Sequence, residues 1–247
     1  LGLLILLGIW YGGTLLLKGD PMLARFATLG PVPTFEQMGV LWHEGTIHSA
    51  VSASGYRLLT GLAIAIGLGI PLGIMMGRIR RFRRLANAPF QFLRMVSPLS
   101  WEPIAVIVLA TWNQAILFLI AITALWPVVF STAAALSKVD PAWFKVARNL
   151  GAKPQHMLTQ IILPAIAFDV LTGVRLALGV AWIVIVPAEF LGVSSGLGYV
   201  LRDAQETLSY STLSAMVLII GIFGYILDSL LGLAVHKASW HKRAEPT

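Results

Sequence analysis

Four ionisable side chains fall inside or at the edge of long apolar runs: Glu102, Arg175, Glu189 and Asp228. A charge in such a run is costly, so each is a functional candidate by default. Arg175 stands near the middle of its run, where a forked set of N–H donors could hold an anion. The alternative is a pair with Glu102, Asp169, Glu189 or a backbone carbonyl that ties helices together. Glu102 lies between Trp101 and Pro103 and can accept bonds from backbone groups that proline frees, while an acid is a poor direct ligand for an anion. Glu189 opens a stretch rich in glycine and serine, which it would cap or gate. Asp228 stands in the inner half of its run, within reach of basic residues, and reads as an anchor.

Met95, Ser97 and Trp101 flank a segment broken by Pro98 and Pro103, and Met95 and Trp101 read as pathway lining, because irregular backbone at membrane depth persists only against protein or water. Trp112, Trp126, Trp182 and Met75 read as interface belt or packing. Enzymatic chemistry finds no support. There is no cysteine, and His43, His48, His156, His236 and His241 share no metal-ligand spacing. Gly192-x-x-x-Gly196-x-Gly198 lacks the lysine and hydroxyl that complete a phosphate cradle. No catalytic residue, metal or cofactor is assigned to the chain.

The elements that position these residues follow from composition. The 247 residues are 57% hydrophobic and only 12% charged, with a mean hydropathy of +0.81, against about 25% charged in soluble domains. Apolar runs approach the ~20 residues that cross a bilayer as helix, and the alternation of a membrane barrel is absent. The expectation is one all-α polytopic domain over 1–247, with spans at about 1–17, 58–77, 90–112, 115–136, 165–186 and 212–235. The first run, Leu1 to Leu17, has no charged start and no small-residue cleavage site, so it reads as a span whose short cytoplasmic leader lies upstream.

Residues 18–50 hold Gly30, Pro21, Pro31 and Pro33 and read as an extramembrane connection, with an amphipathic lead-in helix from about Ile47 to Arg57. Gly61, Gly67, Gly69, Gly73 and Gly77 are spaced for close helix approach. Arg78, Arg80, Arg81, Arg83 and Arg84 then mark a cytoplasmic loop, since positive charge beside a span stays inside. Asn113-Gln114 would make a tight outer turn, 137–164 a cytoplasmic segment, and 187–211 an outer loop with a short helix. His236, Lys237, His241, Lys242 and Arg243 place the last end inside. The net charge of +7 is thereby membrane topology and not nucleic-acid binding. A multi-pass protein of the bacterial inner membrane, with both termini cytoplasmic, is expected.

Within 137–164, Asp140-Pro141 is a helix start. That helix should stop at Gly151, and a second from Pro154 should run into Pro164 at the membrane edge. Here the chain resembles the membrane subunits of binding-protein-dependent ATP-binding cassette importers. Their signature is Glu-Ala-Ala, three residues, Gly, nine residues and Ile-x-Leu-Pro, and Ala147, Gly151, Ile161, Leu163 and Pro164 fall on it in register. Lys145 and Val146 replace the usual glutamate and alanine. Ser97 to Ile104, Thr172 to Trp182, Ala188 to Gly192 and Ser194 to Tyr199 resemble the nitrate, sulfonate and taurine branch.

The resemblance implies a type I importer permease. Lys145, Ala147, Arg148, Leu150, Gly151, Ala152 and Pro164 would contact the ATPase, and Met95, Ser97, Trp101, Glu102, Arg175 and Glu189 would belong to the pathway. The implied partners are a second permease copy as a homodimer, two ATPase subunits that bind ATP and Mg, an extracytoplasmic substrate-binding protein, and membrane lipid. The implied substrate is a small oxyanion such as nitrate, bicarbonate, a sulfonate or taurine. The rival reading, an ATP-independent secondary transporter or channel, would need internal repeats and midplane ion ligands; no such duplication is visible.

Overall fold

In a computed structural model the described residues are 2–18 and 23–238. Pro21, His241, Lys242 and Arg243 lie outside them, as does the side chain of Lys237. Among the described residues the secondary structure is helical, with no strand. The order is α1 (Gly2–Lys18), a 3-10 turn (Ala24–Leu29), α2 (Pro31–His43), α3 (Thr46–Arg78) and α4 (Arg80–Met95). A second 3-10 turn (Pro98–Trp101) leads to α5 (Glu102–Val108), α6 (Trp112–Lys138) and α7 (Pro141–Asn149). Then come α8 (Pro154–His156), a π-helical stretch (Met157–Ile162), α9 (Leu163–Gly192), α10 (Leu197–Glu206) and α11 (Tyr210–Ala238).

Four helices among these residues are long and apolar enough to cross a membrane: Thr46–Arg78, Trp112–Lys138, Pro154–Gly192 and Tyr210–His236. Leu4–Leu17 and Pro98–Val108 are shorter apolar helices. Several boundaries differ from the sequence expectations. The lead-in helix and the glycine-rich span are one continuous α3 of 33 residues. Residues 18–50 are not mere connection, because Pro31 opens α2 as its first residue instead of breaking it.

The segment 90–112 is not a single span. Its helix begins at Arg80 and ends at Met95, and Val96 and Ser97 turn extended at ψ 126° and 130° because Pro98 excludes the α region from the residue before it. Asn113-Gln114 is not the outer turn either. Thr111 caps α6 by accepting a hydrogen bond from the Gln114 amide at 3.3 Å, so the turn falls at 109–111 and both residues lie in the first turn of α6.

The chain divides into two compact units, Leu1–Tyr56 with Val186–Tyr225, and Arg57–Ile185 with Ile226–Thr247. In the first, the Trp10 indole donates to the Leu29 carbonyl at 3.0 Å, Thr34 and Ser214 hydroxyls meet at 2.6 Å, and Phe26 stacks edge-on against Tyr210.

In the second unit, α6 is the central helix: Ile116, Leu119, Ile120, Val128 and Val129 are at most 1% exposed. What brings α3 onto it is a ladder of small residues, Gly61, Ala65, Gly69, Gly73 and Gly77, one every four positions and so on one helix face. A methyl added at Gly61, Gly69, Gly73 or Gly77 would stand 2.5–3.0 Å from Ile120, Val128, Thr132 or Leu136 of α6. From the α9 side, Gly173 abuts Ser131 so closely that no Cβ fits. Close approach of this kind drives helix association where lipid removes the hydrophobic force between helices.

Gly67, off the ladder, has open space where a Cβ would go. Gly73→Ala is therefore expected to cost about 1–3 kcal/mol through overpacking and Gly67→Ala to be neutral or slightly stabilising, measured as thermal unfolding midpoints of the purified proteins.

Candidate functional site

The segment 137–164 is built as a rigid projection. The Asp140 carboxylate accepts from the Ala142 amide at 2.8 Å, and Pro141 occupies the first helical position. At the other end Gly151 takes φ +76°, which lets the Ala152 amide donate to the Ala147 carbonyl and the Gly151 amide to the Arg148 carbonyl, both at 3.0 Å. That pair of bonds closes a helix with a Schellman turn. Trp143, Val146 and Leu150 stand on one face of α7 and are 57%, 57% and 81% exposed. A groove of about 610 Å³ runs beside them, lined also by Ala147, Gln160, Ile161 and Pro164.

The second helix does not end at Pro164. It continues into α9 as a single 39-residue helix, Pro154–Gly192. Proline has no N–H to donate, and the π-helical stretch just before it widens the turn there. The projection is also tied to α3: the Arg78 guanidinium lies 4.4 Å from the centre of the Phe144 ring and donates to the Met157 sulfur at 3.1 Å. Lys145 and Arg148 are exposed, and Ala147 is buried.

In the same unit a cavity of about 690 Å³ opens between the end of α4, the following turn, α6 and α9. Met95 and Trp101 line it, with Arg94, Pro98, Thr123, Trp126, Phe130, Ser131, Leu176 and Val180 among the other walls. One face of α6, Phe118, Ile122, Trp126 and Phe130, carries an aromatic series. Trp101 meets Phe118 at 6.4 Å, Phe90 meets Trp126 at 5.5 Å, and the Arg94 guanidinium lies 5.1 Å from the centre of the Phe130 ring. Ser97 and Glu102 are not among the lining residues; Glu102 stands in the first turn of α5.

Arg175 does not face this cavity. Its guanidinium makes a bidentate pair with Asp228, at 2.8 and 2.6 Å, and Gly232 leaves room for the arginine head, which a Cβ there would approach to 3.3 Å. None of the four partners expected for Arg175 is the one it takes, and Asp228 is the anchor, tying α11 to α9.

Glu189 belongs to the first unit, where it caps the stretch that follows it. It is 0% exposed, accepting from Ser54 Oγ at 2.7 Å and from the Gly198 amide at 3.1 Å. Ser54 Oγ accepts in turn from the Leu197 amide at 2.8 Å, so both residues satisfy the free amides that open α10. Gly196, at φ +113°, lies so near the carboxylate that an added Cβ would meet it at 2.5 Å. Arg202 completes the closure by donating to the Phe190 and Val193 carbonyls at 3.2 and 3.3 Å.

Met95 and Trp101, expected as pathway lining, line one cavity together, while Arg94, Trp143, Ser54 and Arg202 do not figure among the residues expected from the sequence. The signal for Arg94 was available, as a cation four residues before the proline that opens the Pro98–Trp101 turn; that for Ser54 was not, because a serine within an apolar helix is common. Two outcomes follow. Glu189→Ala leaves the Gly198 amide and Ser54 without their acceptor, at about 1–3 kcal/mol for each unmet buried group, and should make 192–198 sensitive to limited proteolysis where the wild type resists. Arg175→Leu or Asp228→Leu alone should lower the yield of folded membrane protein, and the exchange Arg175→Asp with Asp228→Arg should recover it, read by size-exclusion of solubilised membranes.

Comparison with known proteins bears on this geometry. Residues 69–239 match the family described as binding-protein-dependent transport system inner membrane component. An ABC transporter permease protein of Brucella abortus is 34% identical over 216 residues, 87% of this chain and 86% of that protein. The bicarbonate transport system permease protein CmpB of Synechococcus elongatus is 35% identical over 71% of this chain and 64% of its own length. The aliphatic sulfonates transport permease protein SsuC of Bacillus subtilis is 32% identical over 85% and 77%. A solved structure of inward-facing conformations of the MetNI methionine ABC transporter superposes with a TM-score of 0.66, at 14% identity, over 76% of this chain and 94% of that one. With most of its length matched, this chain belongs to the family of inner-membrane components of binding-protein-dependent transport systems.

Proposed function

We propose that this permease subunit moves a small anionic solute inward across the membrane, working as a pair of identical copies driven by two ATPase subunits that seat against 140–164. The observation that carries the reading is the capped helix α7. Its apolar face of Trp143, Val146 and Leu150 is left exposed, and its end is fixed by the turn at Gly151. A projection so rigid and so greasy is a docking surface, since exposed apolar patches rimmed by charge mark contacts with partners. Lys145 and Arg148 supply that rim.

The catalytic step, ATP hydrolysis with its Mg ion, belongs to the partner; this chain is not an enzyme. Closure of the two ATPase subunits would tilt α7, and Arg78 would carry the movement into α3, a rigid-body switch between two packings. An extracytoplasmic binding protein would deliver substrate at the outer connections, the segment between α9 and α11 with its short helix α10 included. Six crossings with both termini cytoplasmic fit the arginine run at 78–84, with α1 and the broken segment of α4 and α5 as the two short crossings. The names of the relatives support an oxyanion, bicarbonate and aliphatic sulfonates being the two they state.

The test is co-expression with the ATPase encoded beside this chain and purification through a tag on the permease. Val146→Asp with Leu150→Asp, both exposed, should abolish co-purification without lowering the permease yield; Gly151→Asp with Ala147→Asp should abolish it as well but with a lower yield, since it strains the left-handed turn and buries a charge. Wild type that brings down no ATPase would overturn the reading. Arg78→Gln should keep the ATPase bound while lowering transport-coupled ATP hydrolysis several-fold, measured in proteoliposomes.

A further inference from the structure

In the unit formed by Arg57–Ile185 and Ile226–Thr247, Arg175 lies within α9 and Arg94, exposed, in the last turn of α4, and their surroundings divide the work between them. Arg175 is neutralised by both oxygens of Asp228. Arg94 has no carboxylate partner among the described residues; its one recorded contact is the face of Phe130. It lies fourteen residues beyond Arg80 on α4, about 21 Å of helix at 1.5 Å per residue, and it lines the 690 Å³ cavity with Met95 and Trp101. A cation held over an aromatic face, with no counter-charge, is a place where an anion gains a charge-assisted bond.

The remaining walls decide which anion. Two hydroxyls line the cavity, and both give their hydrogens to helix carbonyls: Thr123 to Leu119 at 2.6 Å, and Ser131 to Val128 at 3.1 Å. They offer a ligand only lone pairs, which an anion avoids. No carboxylate is among the lining residues, so a second, positive charge on the ligand finds no counter-ion there. The rest is aliphatic and aromatic surface, with the indole N–H groups of Trp101 and Trp126 as the further donors. A bare inorganic oxyanion such as bicarbonate or nitrate is strongly hydrated and exposes no apolar surface. In this cavity it would lose water against the apolar walls and gain one charged bond in return.

We propose, resting on the permease reading above, that this cavity binds an organic monoanion. Arg94 would take its sulfonate or carboxylate head, and Trp101, Trp126, Phe130, Leu176 and Val180 its uncharged hydrocarbon or aromatic body. Arg94, and not Arg175, is the anion-binding arginine, and the site favours the chemistry named for the sulfonate relative over that named for the bicarbonate relative. The cavity volume lies within the ~300–1,000 Å³ of small-molecule sites.

The test uses the purified permease–ATPase complex without a binding protein, so that only the permease site is read. Thermal unfolding is followed with sodium butanesulfonate, benzoate, bicarbonate, nitrate or chloride at equal ionic strength. A ligand that binds only the folded state raises the midpoint with concentration. Butanesulfonate or benzoate should raise it by a few degrees over chloride, and bicarbonate and nitrate should not. Arg94→Gln should lose the shift and Arg94→Lys should recover part of it, with the ATPase still co-purifying with both variants as proof of folding. Equal shifts from bicarbonate, an unchanged shift in Arg94→Gln, or no shift from either organic anion would overturn the assignment. Failure of the ATPase to co-purify with wild type would instead overturn the permease reading on which it rests.

Discussion

The close packing of α3 on α6 is the constraint on which the rest of the second unit depends. Lipid offers no hydrophobic reward for bringing two apolar helices together, so contact has to come from backbones that approach closely over many atoms. Glycine or alanine at every fourth position of α3 from Gly61 to Gly77 provides that, against Ile120, Val128, Thr132 and Leu136. With α3 on one side and α9 pressed to Ser131 through Gly173, α6 is fixed in rotation. Its face of Phe118, Ile122, Trp126 and Phe130 is thereby directed at the end of α4 and the turn that follows, where the cavity lies.

The same framework connects the cavity to the projecting helix. Arg78 ends α3 one residue after the last ladder glycine, and it is also the residue that holds Phe144 of α7 and Met157. A displacement of α7 is therefore felt first at the end of the close-packed α3–α6 pair, and a close-packed pair moves as a body instead of bending. The break between α4 and the Pro98–Trp101 turn, where Val96 and Ser97 are extended, is the place in this unit where backbone hydrogen bonding is interrupted beside the cavity. It is suited to take up such a displacement near Arg94.

Much of this was legible in the sequence, and for stated reasons. The helix cap at Asp140, the turn at Gly151 and the glycine spacing of α3 are local rules, written within a few residues, and the structure carries all three. The helical membrane class followed from composition. What could not be read was anything set by pairing across long sequence separations: Arg175 with Asp228, or Ser54 with Glu189. Charge alone nominated Arg175 for an anion, while its neutralisation needs α11, more than fifty residues away. Proline misled in both directions. Pro164, at the expected membrane edge, sits inside a continuous helix behind a π-helical stretch, and Pro31, within the expected connection, opens α2.

The absence of cysteine from these 247 residues makes the most direct test of the central claim simple, because one introduced thiol is the only one among them. Met95→Cys, exposed beside the cavity, would be labelled with a small maleimide in the reconstituted permease–ATPase complex, first without nucleotide and then with ATP and vanadate trapping the ATPase closed. If the projecting helix drives the cavity between two states, the labelling rate should change at least several-fold between the two conditions. Equal rates, with the ATPase bound and trapped, would contradict the account.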